Sequence, residues 1–365
     1  MCFFRRKPKS IIGLDVGNGA IKLVELQRDP KTKVLSLQRF LVRPTPPNTV
    51  ENGLVKDAVR LKSTLRELLR EFGARALSVT TVLTGQNLIV RQAEVPRMSR
   101  DEFQKVLQLQ ADNYFGMPAD RLSADFQVVR DLPNNRMLVF LVGSPKQPIL
   151  DFAALLKESG FTVNRVDIEP LAALRSLRMT STLGPSTVDQ TTVVLDLGAG
   201  TSNLSIFQGD LLQMVRVITV AGNDLTREIS SKQSVSFEQA EALKREHGVR
   251  PDTPIHESIR PTFERLLRQV SMSLEYYQIE NRATPIRQVS VIGGNAKLDG
   301  LVDALRQSVA DLFERLNMPA PEVALGNPCL HLEQCANFTE AEQMGPILAV
   351  AIGLALGEVA ANASH

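Results

Sequence analysis

Thr191–Thr201, TTVVLDLGAGT, carries β-branched and apolar residues straight into Asp196 and then into a turn marked by Gly198 and Gly200. A short apolar run bounded by such a turn reads as a buried strand. Ser10–Lys22, SIIGLDVGNGAIK, repeats the plan: an apolar strand, then Asp15, then a turn with Gly17 and Gly19. Two copies in one chain predict two related halves facing each other.

The flanking residues extend the repeat. Ile11–Asp15, Ala20–Gln27 and Val34–Val42 read as three strands of a meander, and Thr192–Leu197, Asn203–Gln208 and Asp210–Val220 as a second. In a dinucleotide-binding fold the glycine turn opens directly into a helix. Here Lys22–Leu26 continues with strand alternation, which excludes that fold.

The spacing predicts helices over Leu54–Phe72, Ser99–Tyr114, Ile149–Ser159, Pro170–Arg178, Ala221–Ile229, Ser236–His247, Glu257–Ile279 and Leu298–Ala310. Cys329–Phe338 follows no pattern, and the apolar Ile347–Leu356 reads as a buried C-terminal helix, too short for the roughly 20 residues of a membrane span. The texture changes at about Gln86, which marks an inserted subdomain over 86–164. Residues 1–85 plus 165–189, with the helix 345–362 returning, form the expected first domain. Polar Thr180–Gln190 is a linker, and 190–344 the second domain, with a subdomain over about 222–285.

At 365 residues the chain has room for two or three cores. It is 43% hydrophobic and 22% charged, with a formal net charge of +2, which predicts no broad attraction to nucleic acid. Cys2, Cys329 and Cys335 match neither a metal-ligand spacing nor a disulfide framework, so the cytoplasm is the expected compartment. The basic, aromatic MCFFRRKPK lacks the apolar core of a signal peptide; its Phe3, Phe4, Arg5, Arg6 and Lys7 suit a free terminus as well as a lipid or partner contact.

Glycine turns let backbone N–H groups approach a polyphosphate. Gly17, Gly19, Gly198 and Gly200 meet that need, and Asp15 and Asp196, each ending a buried strand, are candidate magnesium-side acids. Lys22 could neutralise a phosphate or be a solvated charge. Val291–Asn295, VIGGN, is a third turn opening a helix.

With these motifs the chain resembles the superfamily of actin, sugar kinases and the Hsp70 ATPase, an α/β fold of actin-like (ribonuclease H-like) duplicated ATPase type. The opening MCFFRRKPKSIIGLDVGNGAIKLVEL, the segment QLQADNYFGMPADRLSADFQV (Gln108–Val128) and the LEYYQ ending of Leu266–Gln278 are similar to the PilM family of type IV pilus assembly proteins. That family is related to the cell-division protein FtsA, and the likeness implies an FtsA-type inserted subdomain. It implies ATP or ADP with Mg2+ as ligand: Asp15 and Asp196 on the magnesium side; Gly17, Asn18, Gly19, Lys22, Gly198, Ala199, Gly200, Thr201 and Ser202 at the phosphates; Gly293, Gly294 and Asn295 at adenosine. Glu241 and Lys244 would reach ribose and base, or else form a surface ion pair. Glu169 would orient an attacking water, or be a loop carboxylate with no such role.

Asn18 stands where most of the superfamily has Ser or Thr, and Ala199 where actin has an acid. The pattern therefore favours binding over hydrolysis, with turnover at most slow. The resemblance further implies a cytoplasmic adaptor at the inner face of the bacterial inner membrane, attached through partners. The cleft beside the insert would capture the N-terminal cytoplasmic tail of PilN, with Leu88, Val90, Phe103 and Tyr114 as candidate contacts or plain core, and pilus motor ATPases or the platform protein would be further partners. An FtsA-like filament scaffold is an alternative reading. A sugar-kinase-type phosphotransferase would need a catalytic Asp in a sugar loop, for which no residue stands out.

Overall fold

The computed structural model describes residues 10–29, 31–32, 34–83, 88–179, 183, 190–334 and 338–361. Cys2, Phe3 to Lys7, Gln86, Cys335 and most of the 180–190 linker lie outside them. Strand β1 (Ser10–Val16) pairs antiparallel with β2 (Ala20–Arg28), and β2 with β3 (Leu35–Pro44). Every residue of β1 after Ser10 is buried, as its unbroken apolar run requires. Next, β4 (Val50–Glu51) and β5 (Leu54–Val55) form a small hairpin closed by Asn52 and Gly53, both at positive φ. That hairpin takes Leu54 and Val55 out of the predicted helix. Helix α1 (Ala58–Glu71) starts after Asp57, whose carboxylate accepts from the Arg60 amide, and buries Leu61, Leu65, Leu68 and Leu69 along one face.

Strand β6 (Leu77–Leu83) lies parallel to β1. After it come β7 (Ile89–Pro96), α2 (Arg100–Leu109), α3 (Ala111–Phe115), β8 (Leu122–Leu132) and β9 (Arg136–Pro145), with the strands in a separate sheet of order β7-β9-β8. Ser99 and Glu102 form a capping box on α2. The single helix expected to Tyr114 is divided at Gln110 and closed by Gly116 in the left-handed region.

The expected insert runs too far at its C-terminal end. Helix α4 (Lys146–Glu158) packs on α1, and β10 (Phe161–Ile168) pairs parallel with β6 from Phe161↔Leu77 to Ile168↔Leu83. Residues 146–164 therefore belong to the first half, and the inserted sheet ends at Pro145. Helix α5 (Glu169–Met179) follows directly.

The second half contains β11 (Thr191–Leu197), β12 (Ser202–Gln208), β13 (Leu211–Ile218), α6 (Gly222–Gln233), α7 (Phe237–His247), α8 (His256–Glu280), β14 (Ile286–Ile292), α9 (Leu301–Arg315) and β15 (Glu322–Leu325). Its sheet order, β13-β12-β11-β14-β15, matches β3-β2-β1-β6-β10 of the first. In each, a three-strand meander is followed by two parallel strands. The predicted duplication is thus present strand for strand.

A 3-10 turn at Pro328–His331 occupies part of the unpatterned segment, and β16 (Glu333–Gln334) pairs with β3 on the first sheet. The chain has returned to the first half by Glu333, earlier than the expected 344. Helix α10 (Phe338–Ala361) then packs on α5, β1 and β2. A Cβ on Gly13 would stand 2.0 Å from the Ala351 carbonyl oxygen, and one on Gly353 1.8 Å from that of Ala172. Only glycine permits so close a backbone contact. No helix among the described residues is long and apolar enough to cross a membrane.

Candidate nucleotide site

The two meanders bring equivalent residues together. Asp15 lies opposite Lys22 in the β1–β2 register, and Asp196 opposite Asn203 in β11–β12. Lys22 Nζ donates to Asp15 Oδ2 at 2.7 Å in a largely buried ion pair. Asn203 Nδ2 donates to Glu169 Oε1 at 2.7 Å, tying the second half to the first residue of α5. Asn203 was not singled out from the sequence. Its signal was available: it follows Asp196 by the same seven positions that separate Lys22 from Asp15.

Burial and charge set the protonation of this cluster. Burial, then the charges of Asp196 and Asp15, push the Glu169 carboxyl well above the usual carboxylate range. Burial is also the main cause that raises Asp196 to about 6; Lys22 opposes it, Asp15 adds to it, and a hydrogen bond with Glu169 opposes it. For Lys22, burial acts downward but is outweighed by Asp15, with help from Asp196 and Glu169, so the ammonium is held above its ordinary value. The cluster thus pairs the Lys22 ammonium with Asp15, and sets beside Asp196 a Glu169 carboxyl that holds its proton more tightly than usual. When it carries a proton, Glu169 can both accept from Asn203 and donate to Asp196.

Above this cluster the glycine turns share one geometry: the Gly17 amide donates to the Ala20 carbonyl at 3.0 Å, and the Gly198 amide to that of Thr201 at 3.1 Å. The turns touch. A Cβ on Gly19 would lie 2.6 Å from Ala199 Cβ, and one on Gly200 1.7 Å from Asn18 Nδ2. Among the described residues, nothing accepts from the backbone amides of Asn18, Gly19, Ala199 or Gly200, so they remain for an anion. Thr45, unremarked in a Pro-rich loop, braces the first turn through Oγ1 to the Gly17 carbonyl (2.6 Å) and its amide to that of Gly19 (3.2 Å).

Several expected ligand contacts are scaffold. Ser202 is buried, and its hydroxyl donates to the Val220 carbonyl at 2.8 Å. Asn295 Nδ2 donates to the Gly198 and Leu197 carbonyls at 2.7 and 3.3 Å, so its amide braces the second turn. Gly222 and Asn223 at the start of α6 donate to the Gly198 and Ala199 carbonyls. Lys244 Nζ reaches the Gly222 carbonyl (3.1 Å), Thr226 Oγ1 (2.9 Å) and Glu241 Oε2 (2.7 Å). Lys244 is buried, so the alternative of an exposed surface pair fails at its lysine end. Burial lowers the Lys244 ammonium, while for Glu241 burial acts upward but the charge of Lys244 and hydrogen bonds from Lys244, Thr226 and Arg245 together outweigh it and lower the carboxyl. Gly293 sits where a Cβ would collide with Asp196 Oδ1 at 2.2 Å, whereas a Cβ on exposed Gly294 would meet nothing within 4 Å. Thr201 is half-buried beside the turn.

In the insert, Phe103 is core, stacked edge-on against Phe126 and Tyr114, and half-buried Val90 packs against the apolar cluster that includes Phe140. Leu88 is half-buried.

The donor set suits a hard cation. Asp15, Asp196 and Glu169 supply only oxygen, and Asp196, raised mainly by its burial, carries a charge that a divalent ion would stabilise. Among the described residues no three acids, histidines or cysteines form a cage for a bare ion. The arrangement fits magnesium that keeps its waters and takes further ligands from a polyphosphate.

A duplicated meander sheet, with two acid-and-glycine turns facing each other, defines the actin-like class of ATPase folds. MreB5 of Spiroplasma citri bound to ADP shares the fold at 14% identity and a TM-score of 0.52, covering 98% of each chain. More specifically, the chain belongs to the family of the type IV pilus assembly protein PilM, whose family model matches residues 13–359. The solved PilM-PilN type IV pilus biogenesis complex is similar at 28% identity and a TM-score of 0.80, over 96% of this chain and 98% of that one. The cell division protein FtsA of Streptococcus pneumoniae is 23% identical over 397 residues, spanning 95% of this chain and 83% of FtsA.

Proposed function

We propose that this chain is an ATP-binding adaptor of a type IV pilus assembly platform, which captures the N-terminal tail of a PilN-like inner-membrane protein and couples it to the pilus motor. The observation that carries the nucleotide part is the contact of the two glycine turns above the Asp15, Lys22, Asp196 and Glu169 cluster. Their free amides would hold the phosphates, and Asp15 and Asp196 the magnesium. A phosphoryl-transfer ATPase must also orient and deprotonate a water. Burial disfavours the charged form of Glu169, and Ala199 adds no acid, so these residues suit a ligand that sets conformation more than one that is turned over. The PilN part is supported by likeness to a protein solved with PilN. It gives the chain its position at the cytoplasmic face of the inner membrane, held there by the partner.

Calorimetric titration of ATP with Mg2+ tests the reading. Wild type is expected to bind, and Asp15→Ala and Asp196→Ala to bind at least tenfold more weakly; equal binding by all three would end the nucleotide reading. Co-purification with candidate inner-membrane tail peptides, with and without ATP, tests the adaptor part, and failure of every tail would count against it. The FtsA likeness favours a filament scaffold as second reading; sedimentable polymers with ATP and lipid would support it.

A further inference from the structure

Helix α10 contains Gly345 and Pro346 within its apolar length. Proline has no N–H, so the carbonyl four residues earlier loses its helical partner. That carbonyl belongs to Glu342, and Asn327 Nδ2 donates to it at 2.8 Å. Asn327 Oδ1 in turn accepts from the Cys329 amide at 3.1 Å. The contact demands glycine beside it, for a Cβ on Gly345 would stand 1.7 Å from Asn327 Oδ1. One residue further on, the Pro346 carbonyl accepts from the Gly293 amide at 2.9 Å. Gly293 is the residue with no room for a Cβ against Asp196. The other end of α10 is embedded in the first half by the Gly13 and Gly353 contacts.

From this geometry we infer that Asn327, Gly345 and Pro346 form a positioning joint, through which α10 holds the Gly293 turn against Asp196 and keeps the nucleotide site of the second half in register with the first. Asn327 supplies the donor that Pro346 lacks, so the proline break keeps its geometry, and the Pro346 carbonyl then fixes Gly293. The joint's role in affinity rests on the nucleotide reading; the joint itself does not.

The test is a cycle of Asn327→Ala, Pro346→Ala and the double variant in the full chain. It is read by amide exchange of the Val289–Leu298 segment and by calorimetric affinity for ATP with Mg2+. Asn327→Ala leaves the Glu342 carbonyl without this donor, and is expected to speed exchange at Gly293 and weaken ATP about tenfold, the scale of one orphaned buried group. Alanine at 346 restores a helical N–H to that carbonyl, so the double variant should regain protection and bind ATP within about threefold of wild type. If Asn327→Ala does not fold, Asn327→Asp keeps the acceptor for Cys329, loses the donor and should show the same loss. Unchanged exchange at Gly293 in the Asn327 variants, or a double variant no better protected than the single, overturns the joint. If even wild type binds no ATP, the nucleotide reading fails, and exchange alone decides the joint.

Discussion

Burial, with Asp196 and Asp15 nearby, pushes the Glu169 carboxyl well above the usual carboxylate range, because ionising it would add a negative charge away from water and beside two other acids. Its amide analogue should therefore replace it without loss. Gln at 169 accepts from Asn203 and donates to Asp196 as the neutral acid does, so Glu169→Gln is expected to leave the urea midpoint within about 0.5 kcal/mol and ATP affinity unchanged. A large loss would mean that Glu169 works as an anion. Asp196 behaves oppositely. It titrates near 6 in the fold against an ordinary 3.8, so between those values the folded chain holds a proton that the unfolded chain has released. Stability from this group rises as pH falls from 7 towards 4, and at pH 7 the charged form costs on the order of 3 kcal/mol. Asp196→Asn should stabilise the ligand-free protein by that order at pH 7, with the gain fading by pH 4 in urea unfolding. The same substitution should remove the magnesium-dependent part of ATP affinity.

At the scale of elements, α10 is placed by glycines rather than by its apolar surface alone. The Gly353 contact leaves no room for a methyl group against Ala172, so Gly353→Ala must displace α10 from α5 and is expected to cost about 3 kcal/mol or more. Gly294→Ala is the control: it meets nothing and should stay within about 0.5 kcal/mol, yet it should weaken ATP if adenosine lies at that turn. Thermal unfolding and calorimetry of the two variants distinguish packing from binding. The same contrast explains what the sequence makes legible. Both meanders are readable because alternation and apolar runs are local signals, and Asp15 and Asp196 end them visibly. The division between α2 and α3 at Gln110, the two-residue pairing of β16 with β3, and the proline accommodated by Asn327 are not readable, because each is settled by a partner distant in the chain. Asn295 and Lys244 stand out in the sequence as candidate adenosine, ribose and base contacts. Their hydrogen bonds to backbone carbonyls of the second turn and of α6 could be seen only after folding.

In the whole molecule, the insert is seated on both halves. Strand β9 alternates: Met137, Val139 and Leu141 face the insert's own core, while Phe140 and Val142 join an apolar seam with Leu174 and Leu177 of α5, Leu212 and Val215 of β13, and Val350 and Leu354 of α10. At its edge Gln92 Nε2 donates to Gln213 Oε1 at 2.8 Å, linking β7 to β13. Strand β13 of the second half thus shares its apolar surface with the insert. Adjacent residues of one strand separate this coupling from simple stability. Phe140→Ala and Leu141→Ala each remove a large buried side chain and should each cost about 3 kcal/mol. Hydrogen exchange should tell them apart. Leu141→Ala is expected to speed exchange only within β7, β8 and β9, as a local opening of the insert. Phe140→Ala should speed exchange in β9 and also across Leu211–Ile218 of β13, because it loosens the surface that the two share. Equal exchange patterns in the two variants would mean that the insert rides on the first half alone.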